Sequence, residues 1–178
     1  MPTNTQFVGF IAMSLDGFIA DTDGSVRWLE PFNENLASGG DDGGYCDFIA
    51  SIDALVMGRK TYEQVMGWGW PYEARAGYVL TTDLDFNGDH ITAAGDIEIL
   101  NNAIQKAGHK TVWIMGGGAA QRTALDAGMF HSLRVFIMPT LLGSGRPLFT
   151  EGPQRNLKLS SCQALAGGIL QIDYNIGD

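Results

Sequence analysis

Short, nearly continuous apolar runs alternate along this chain with segments whose apolar residues recur every three or four positions. Phe7-Val8-Gly9-Phe10-Ile11-Ala12-Met13 is the first run, and its lack of alternation is that of a strand buried on both faces. Ala54–Met57, Gly77–Thr81, Thr111–Met115 and Leu133–Met138 are of the same kind, and Ile91–Ala93 is a weaker member. Helical patterns fall between them: Tyr45–Ser51, a helix over Thr61–Met66 ending by Gly67, Ile97–Ala107 and Ala119–Ala127. Over Ile97–Ala107 the residues Ile97, Leu100, Ile104 and Ala107 share one face, with Asp96 as N-cap and Gly108 as stop. Residues 30–44, rich in Gly, Asp and Asn, read as a mobile loop, Trp68–Tyr72 as an aromatic loop that is either a lid or packed, and Leu141–Phe149 as a connection. Leu157–Leu165 and Ile169–Ile176, joined at Gly167-Gly168, read as a closing hairpin. The alternation predicts an α/β fold: a mainly parallel sheet covered on both faces, with antiparallel strands added at the end.

Composition narrows the function more than the fold. With 178 residues, 45% of them hydrophobic, the chain reads as a single domain over 1–178 with a substantial core. Its formal charge, 11 − 20 = −9, argues against nucleic acid or an anionic membrane surface as partner. Residues 1–58 hold nine carboxylates and a single basic residue, Arg27, so cations for an anionic ligand come from residue 59 onward. Cys46 and Cys162 have no metal-ligand spacing and read as free thiols of a cytoplasmic protein; Phe7–Met13 is too short for a signal core or membrane span. His90, His109 and His131 fall in unrelated segments, which argues against a metal site.

Two glycine turns carry the chemistry. Leu55-Val56-Met57-Gly58-Arg59-Lys60-Thr61 and Ile114-Met115-Gly116-Gly117-Gly118-Ala119 each lead from a strand through small residues into a helix. The first backbone N–H groups of such a helix lack partners and favour anions. Two such turns in one small domain, the first with Arg59 and Lys60, suit a ligand with several phosphates, and a dinucleotide is the natural candidate.

These turns, with Ala12-Met13-Ser14-Leu15-Asp16-Gly17-Phe18-Ile19-Ala20 and Pro139-Thr140-Leu141-Leu142-Gly143-Ser144-Gly145-Arg146-Pro147-Leu148-Phe149, resemble the dihydrofolate reductase superfamily. The resemblance covers roughly residues 7–176 and is strongest to the reductase half of the bifunctional deaminase–reductase of riboflavin biosynthesis. It implies a dihydrofolate reductase-like α/β/α fold, NADPH as cofactor, a homodimer, and hydride transfer to a pteridine- or pyrimidine-type heterocycle. It also assigns residues. Gly58, Arg59, Lys60 and Thr61 match the turn that holds a bridging phosphate and the adenosine 2′-phosphate, with Thr81 and Thr82 at that same phosphate. The triplet Gly116, Gly117 and Gly118, flanked by Met115 and Ala119, matches the approach of the pyrophosphate and nicotinamide ribose to the backbone. Ala12 and Ile19 match positions around the nicotinamide, and Trp28 and Phe48 border the substrate.

The chain departs from this pattern at the proton donor. Where dihydrofolate reductases carry a buried carboxylate after the tryptophan, counting forward from Trp28 reaches Asn33 and counting back from Gly58 reaches Asp42. Glu34, Asp41, Asp42 and Asp47 are the substitutes, Asp47 the first choice as catalytic residue, while Asp16 is read as shaping its Asp-Gly turn. The riboflavin reductase half typically has a Lys where this chain has Phe10, and no zinc-dependent deaminase motif is present in the sequence. Three readings stand at this point: a reductase of the riboflavin type, a true dihydrofolate reductase, and an NADPH-binding protein without catalysis.

Overall fold

The computed structural model describes residues 5–38, 42–72, 74–83 and 85–176. The first apolar run is β1 (Gln6–Ser14), followed by the short β2 (Phe18–Ala20), α1 (Glu30–Ser38) and α2 (Tyr45–Ala50). Then come β3 (Ala54–Gly58), α3 (Arg59–Gly67), β4 (Ala76–Leu80), β5 (Ile91–Ala94), α4 (Ile97–Ala107), β6 (Thr111–Gly116) and α5 (Gly118–Asp126). The chain closes through β7 (Ser132–Met138), β8 (Arg146–Pro147), β9 (Lys158–Ala164) and β10 (Leu170–Asn175). Eight strands form one sheet in the order β5-β4-β3-β6-β1-β7-β10-β9. From β5 to β7 every pairing is parallel, whereas β10 runs antiparallel to β7 and β9 antiparallel to β10.

The apolar runs are central because both their faces are covered. Ala54, Leu55, Val56 and Met57 of β3 are fully buried, and successive side chains enter different layers. Ala54 and Val56, with Val112 and Ile114, meet Leu100 and Ile104 of α4 and Ala124 and Leu125 of α5. Leu55 and Met57, with Trp113, meet Tyr62 and Val65 of α3 and Phe48 and Ile49 of α2. Leu36 of α1 packs with Phe136, Met138 and Ile169. The result is the three-layer α/β/α arrangement that the alternation of runs implies. Helix α4 also starts as its sequence dictates: the Asp96 carboxylate accepts from the Glu98 and Ile99 N–H groups, and Gly108 ends it at φ 77°.

Two segments differ from expectation. Residues 30–38 form a helix rather than part of a mobile loop, because Phe32 and Leu36, one turn apart, both reach the cluster under Phe136; residues 39–41, including Asp41, lie outside the described residues. The 141–149 connection contains β8, which pairs with β2 in a small separate sheet. The Trp68–Tyr72 loop divides: Trp70 and Tyr72 are buried beside Tyr62 and Trp113, and Trp68 is exposed.

Candidate functional site

Strands β3 and β6 are neighbours, and each delivers its helix at the same end of the sheet. Gly58 precedes α3 in an extended conformation (φ −78°, ψ 160°) and Gly117 precedes α5 likewise (φ −72°, ψ −166°); neither helix start has a side-chain cap. Both open onto one cleft of about 1590 Å³. Gly58, Arg59, Lys60, Thr61, Thr81, Thr82, Met115, Gly116, Gly117, Gly118, Ala119 and Ile19 all line it, so residues from four separate segments meet in one place.

The glycine triplet serves three different ends. Gly116 sits at φ +133°, a conformation L side chains rarely adopt. A Cβ on Gly118 would lie 2.5 Å from the Pro147 carbonyl oxygen, so this glycine lets α5 pack against the segment after β8. Only Gly117 is left open: its nearest neighbour would be Thr61 Oγ1 at 3.7 Å, across the cleft. Within the triplet, Gly117 is therefore where the backbone is open to the cleft.

Charge on the cleft wall is balanced: Arg27, Arg59, Lys60 and Arg146 face Asp23, Glu63, Asp83 and Asp96. The two best-placed guanidinium groups are in opposite states. Arg59 donates from Nε to Glu63 Oε1 at 2.8 Å and from Nη1 to Asp83 Oδ2 at 2.7 Å, with the Phe86 ring 4.5 Å from its centre. Those hydrogen bonds to Glu63 and Asp83 raise its pKa and fix the cation. Arg146 has its Nε buried without a hydrogen-bond partner, and among the described residues it forms no ion pair.

Arg146 also has a built support. The Asp16 carboxylate accepts from the Ser14 hydroxyl at 2.5 Å and from the Leu142 and Gly143 N–H groups at 3.1 and 2.7 Å. These bonds, the Ser14 contact foremost, hold Asp16 below the usual carboxylate range and keep it ionised. Asp16 thus ties the β1–β2 turn to the loop leading into Arg146.

Four sequence assignments lie elsewhere. Ala12 packs with the Leu36 and Phe136 cluster, and its neighbour Ile11, on the other face of β1, lines the cleft instead. Trp28 belongs to a one-turn helix, Arg27–Leu29, and joins the same cluster; Arg27 and Val26 line the cleft, and the buried Trp28 Nε1 has no hydrogen-bond partner. Phe48 stacks on Phe10 at 4.4 Å and meets Trp113 edge-on at 5.2 Å, so it fills the core beside α2. Asp47 is exposed in the first turn of α2 and does not line the cleft. The alternatives fare no better: Asn33 and Glu34 are exposed on α1, and Asp42 accepts from the Gly44 and Cys46 N–H groups as a cap of α2. Sequence reasoning missed Arg146 as a cleft residue, although it lies inside a quoted motif, and missed Asp83, whose only signal was its place directly after Thr81-Thr82.

A cleft across the carboxyl ends of a mainly parallel sheet, floored by two uncapped helix starts, belongs to a dihydrofolate reductase-like fold. The chain belongs to the RibD C-terminal domain family, which matches residues 8–171. It is 33% identical over 146 residues to the uncharacterized protein YwjB of Bacillus subtilis (strain 168), covering 80% of this chain and 81% of that one. It also superposes on a proposed riboflavin biosynthesis protein of Shewanella sp. PV-4, with TM-score 0.84, 26% identity, and 96% and 98% of the two chains covered. A Thermotoga maritima diaminohydroxyphosphoribosylaminopyrimidine deaminase/5-amino-6-(5-phosphoribosylamino)uracil reductase shares the fold at TM-score 0.67 and 14% identity, with 97% of this chain and 56% of that one covered.

Proposed function

We propose that this chain is a reductase that transfers a hydride from NADPH to a substrate carrying a pteridine- or pyrimidine-type heterocycle, of the kind named for the Thermotoga maritima neighbour. The observation that carries the reading is the convergence on one cleft of two uncapped helix starts, the open side of Gly117 and the unpartnered cation of Arg146. Together they fit a dinucleotide: aligned N–H donors and a free guanidinium suit a pyrophosphate.

The dinucleotide, when bound, supplies the hydride. The chain supplies position and charge. The N–H groups at the start of α5 and Arg146 would hold the pyrophosphate, with Thr61 on the opposite wall. Thr81 and Thr82 would offer hydroxyls to the adenosine end, and Ile11 and Ile19, which also line the cleft, would give the nicotinamide an apolar wall. With Asp47 outside the cleft, the proton that completes reduction comes from solvent.

The exposed Asn33 and Glu34 speak against true dihydrofolate reduction, since α1 turns neither inward. They favour, as second reading, a dinucleotide-binding protein without catalysis. Titration with NADPH followed by turnover on a panel of pterins and ribosylated pyrimidines decides among the three. Binding with turnover of a ribosylated pyrimidine to its ribityl product, or of a pterin other than dihydrofolate, supports the proposal; binding without turnover selects the second reading; reduction of dihydrofolate alone overturns both in favour of a true dihydrofolate reductase.

A further inference from the structure

We infer that Asp83, assisted by Glu63, sets the dinucleotide selectivity of this cleft by occupying Arg59, so that the chain discriminates little between NADPH and NADH. The inference rests on the reductase reading and concerns one end of the same site. Arg59 opens α3, at the position the family resemblance gives to the adenosine 2′-phosphate, yet both its Nε and its Nη1 already donate to carboxylates at 2.8 and 2.7 Å. Asp83 is not merely a partner that swings in. Its N–H donates to Thr81 Oγ1 and its Oδ1 accepts from the Asp85 N–H, both at 3.2 Å, so the turn after β4 aims this carboxylate at the cleft.

The charge sum decides the sign. Arg59 with Glu63 and Asp83 gives +1 − 2 = −1, and including Lys60 brings the cluster only to zero. A dianionic 2′-phosphate entering here gains a cation and meets two carboxylates, which cancel most of the attraction. A 2′-hydroxyl meets none of that repulsion and can donate to Asp83, the chemistry by which carboxylates select the unphosphorylated ribose. NADPH is still admitted, because the side chains in both pairs are 42–52% exposed and such pairs open at little cost.

The test compares dissociation constants of NADPH and NADH, and of 2′,5′-ADP and 5′-AMP, by calorimetry for the parent chain, Asp83→Asn and Glu63→Gln. Both residues are exposed, and a circular dichroism melt checks that each variant folds. The expected parent preference for NADPH is below about tenfold, and Asp83→Asn raises it by about fivefold or more by tightening NADPH, with Glu63→Gln acting in the same direction. A parent preference above about tenfold, or a ratio unchanged in both variants, overturns the inference alone. Failure of both dinucleotides to bind overturns the reductase reading and this inference with it.

Discussion

Arg59 and Arg146 stand on the same cleft wall and carry the same charge, yet only one of them is available. Arg59 lies in the motif that draws the eye, and two carboxylates and an aromatic ring already surround it. Arg146 lies in a segment that reads as a plain connection, and its Nε is buried without a partner. A cation in a ligand cleft contributes according to what it must give up. An anion that meets Arg59 also meets the two carboxylates beside it, whereas Arg146, unpaired among the described residues, gains a partner for a desolvated donor. The difference predicts that anion affinity is concentrated on the Arg146 side of the cleft and selectivity on the Arg59 side.

The strongest blow to the Arg146 side comes from Gly118. A branched side chain there collides with the Pro147 carbonyl, one residue from Arg146, and that contact is backbone and cannot yield cheaply. Gly118→Val should cost about 2 kcal/mol or more of stability, read from chemical denaturation. Gly117→Val meets only Thr61 Oγ1 at 3.7 Å, so it should keep the parental melt while losing dinucleotide binding. Should the two variants behave alike, the triplet would be a single structural turn and the division of roles would fail.

Replacing the cations tests the comparison directly. Arg146→Gln should weaken NADPH and NADH equally, by about 10- to 100-fold, the scale of a charge-assisted hydrogen bond to phosphate. Arg59→Gln should weaken NADPH by less than about tenfold and leave NADH unchanged, because the exposed cation is already paired. Tryptophan fluorescence titration reads all four values. The reverse ranking would mean that the carboxylates around Arg59 yield completely to ligand.

How much of this was legible in the sequence follows from the range of each interaction. The strands, α4 with its Asp96 cap, and the two glycine turns are local patterns, and they stand where periodicity puts them. Helix α1 was hidden because its apolar face is only Phe32 and Leu36 amid polar residues, and what stabilises it is the Phe136 cluster about a hundred positions away. The pairing of Arg59 with Asp83 spans 24 positions and depends on β4 lying beside β3, which no local pattern reports. Ala12 against Ile11 is a one-residue error of phase: β1 is apolar on both faces, so its sequence does not say which face meets the cleft.

Asp47 extends the comparison to carboxylates. Sequence order placed it before Phe48 and therefore near the heterocycle, but Phe48 turns into the core against Phe10 while Asp47 stays in solvent. Asp47→Asn should change turnover by less than about twofold, well short of the 10²-fold scale of a lost general acid. A steady-state assay on the substrate found by the panel checks this, and a large loss would return the proton donor to α2.

The smallest effect is one of pH, and it bears on how Arg146 is held. The Ser14 hydroxyl and the N–H groups of Gly143 and Leu142 hold the Asp16 carboxyl below the usual carboxylate range. A depressed carboxylate contributes stability that is fully present above its unfolded pKa and lost as pH falls through the folded one. The 139–145 loop, and with it the approach to Arg146, should therefore be indifferent to pH from neutrality down to about 4 and loosen below that. Asp16→Asn reproduces the neutral form at pH 7 without acid. Amide exchange at Leu142 and Gly143 should then accelerate, and affinity for ADP-ribose should fall by a factor of about two to five, less than for Arg146→Gln because the guanidinium remains. If exchange at these two amides is unchanged while ADP-ribose still weakens, Asp16 acts on the ligand by a route other than this loop. If neither changes, β8 alone suffices to hold Arg146 against the cleft through its pairing with Phe18 and Ala20.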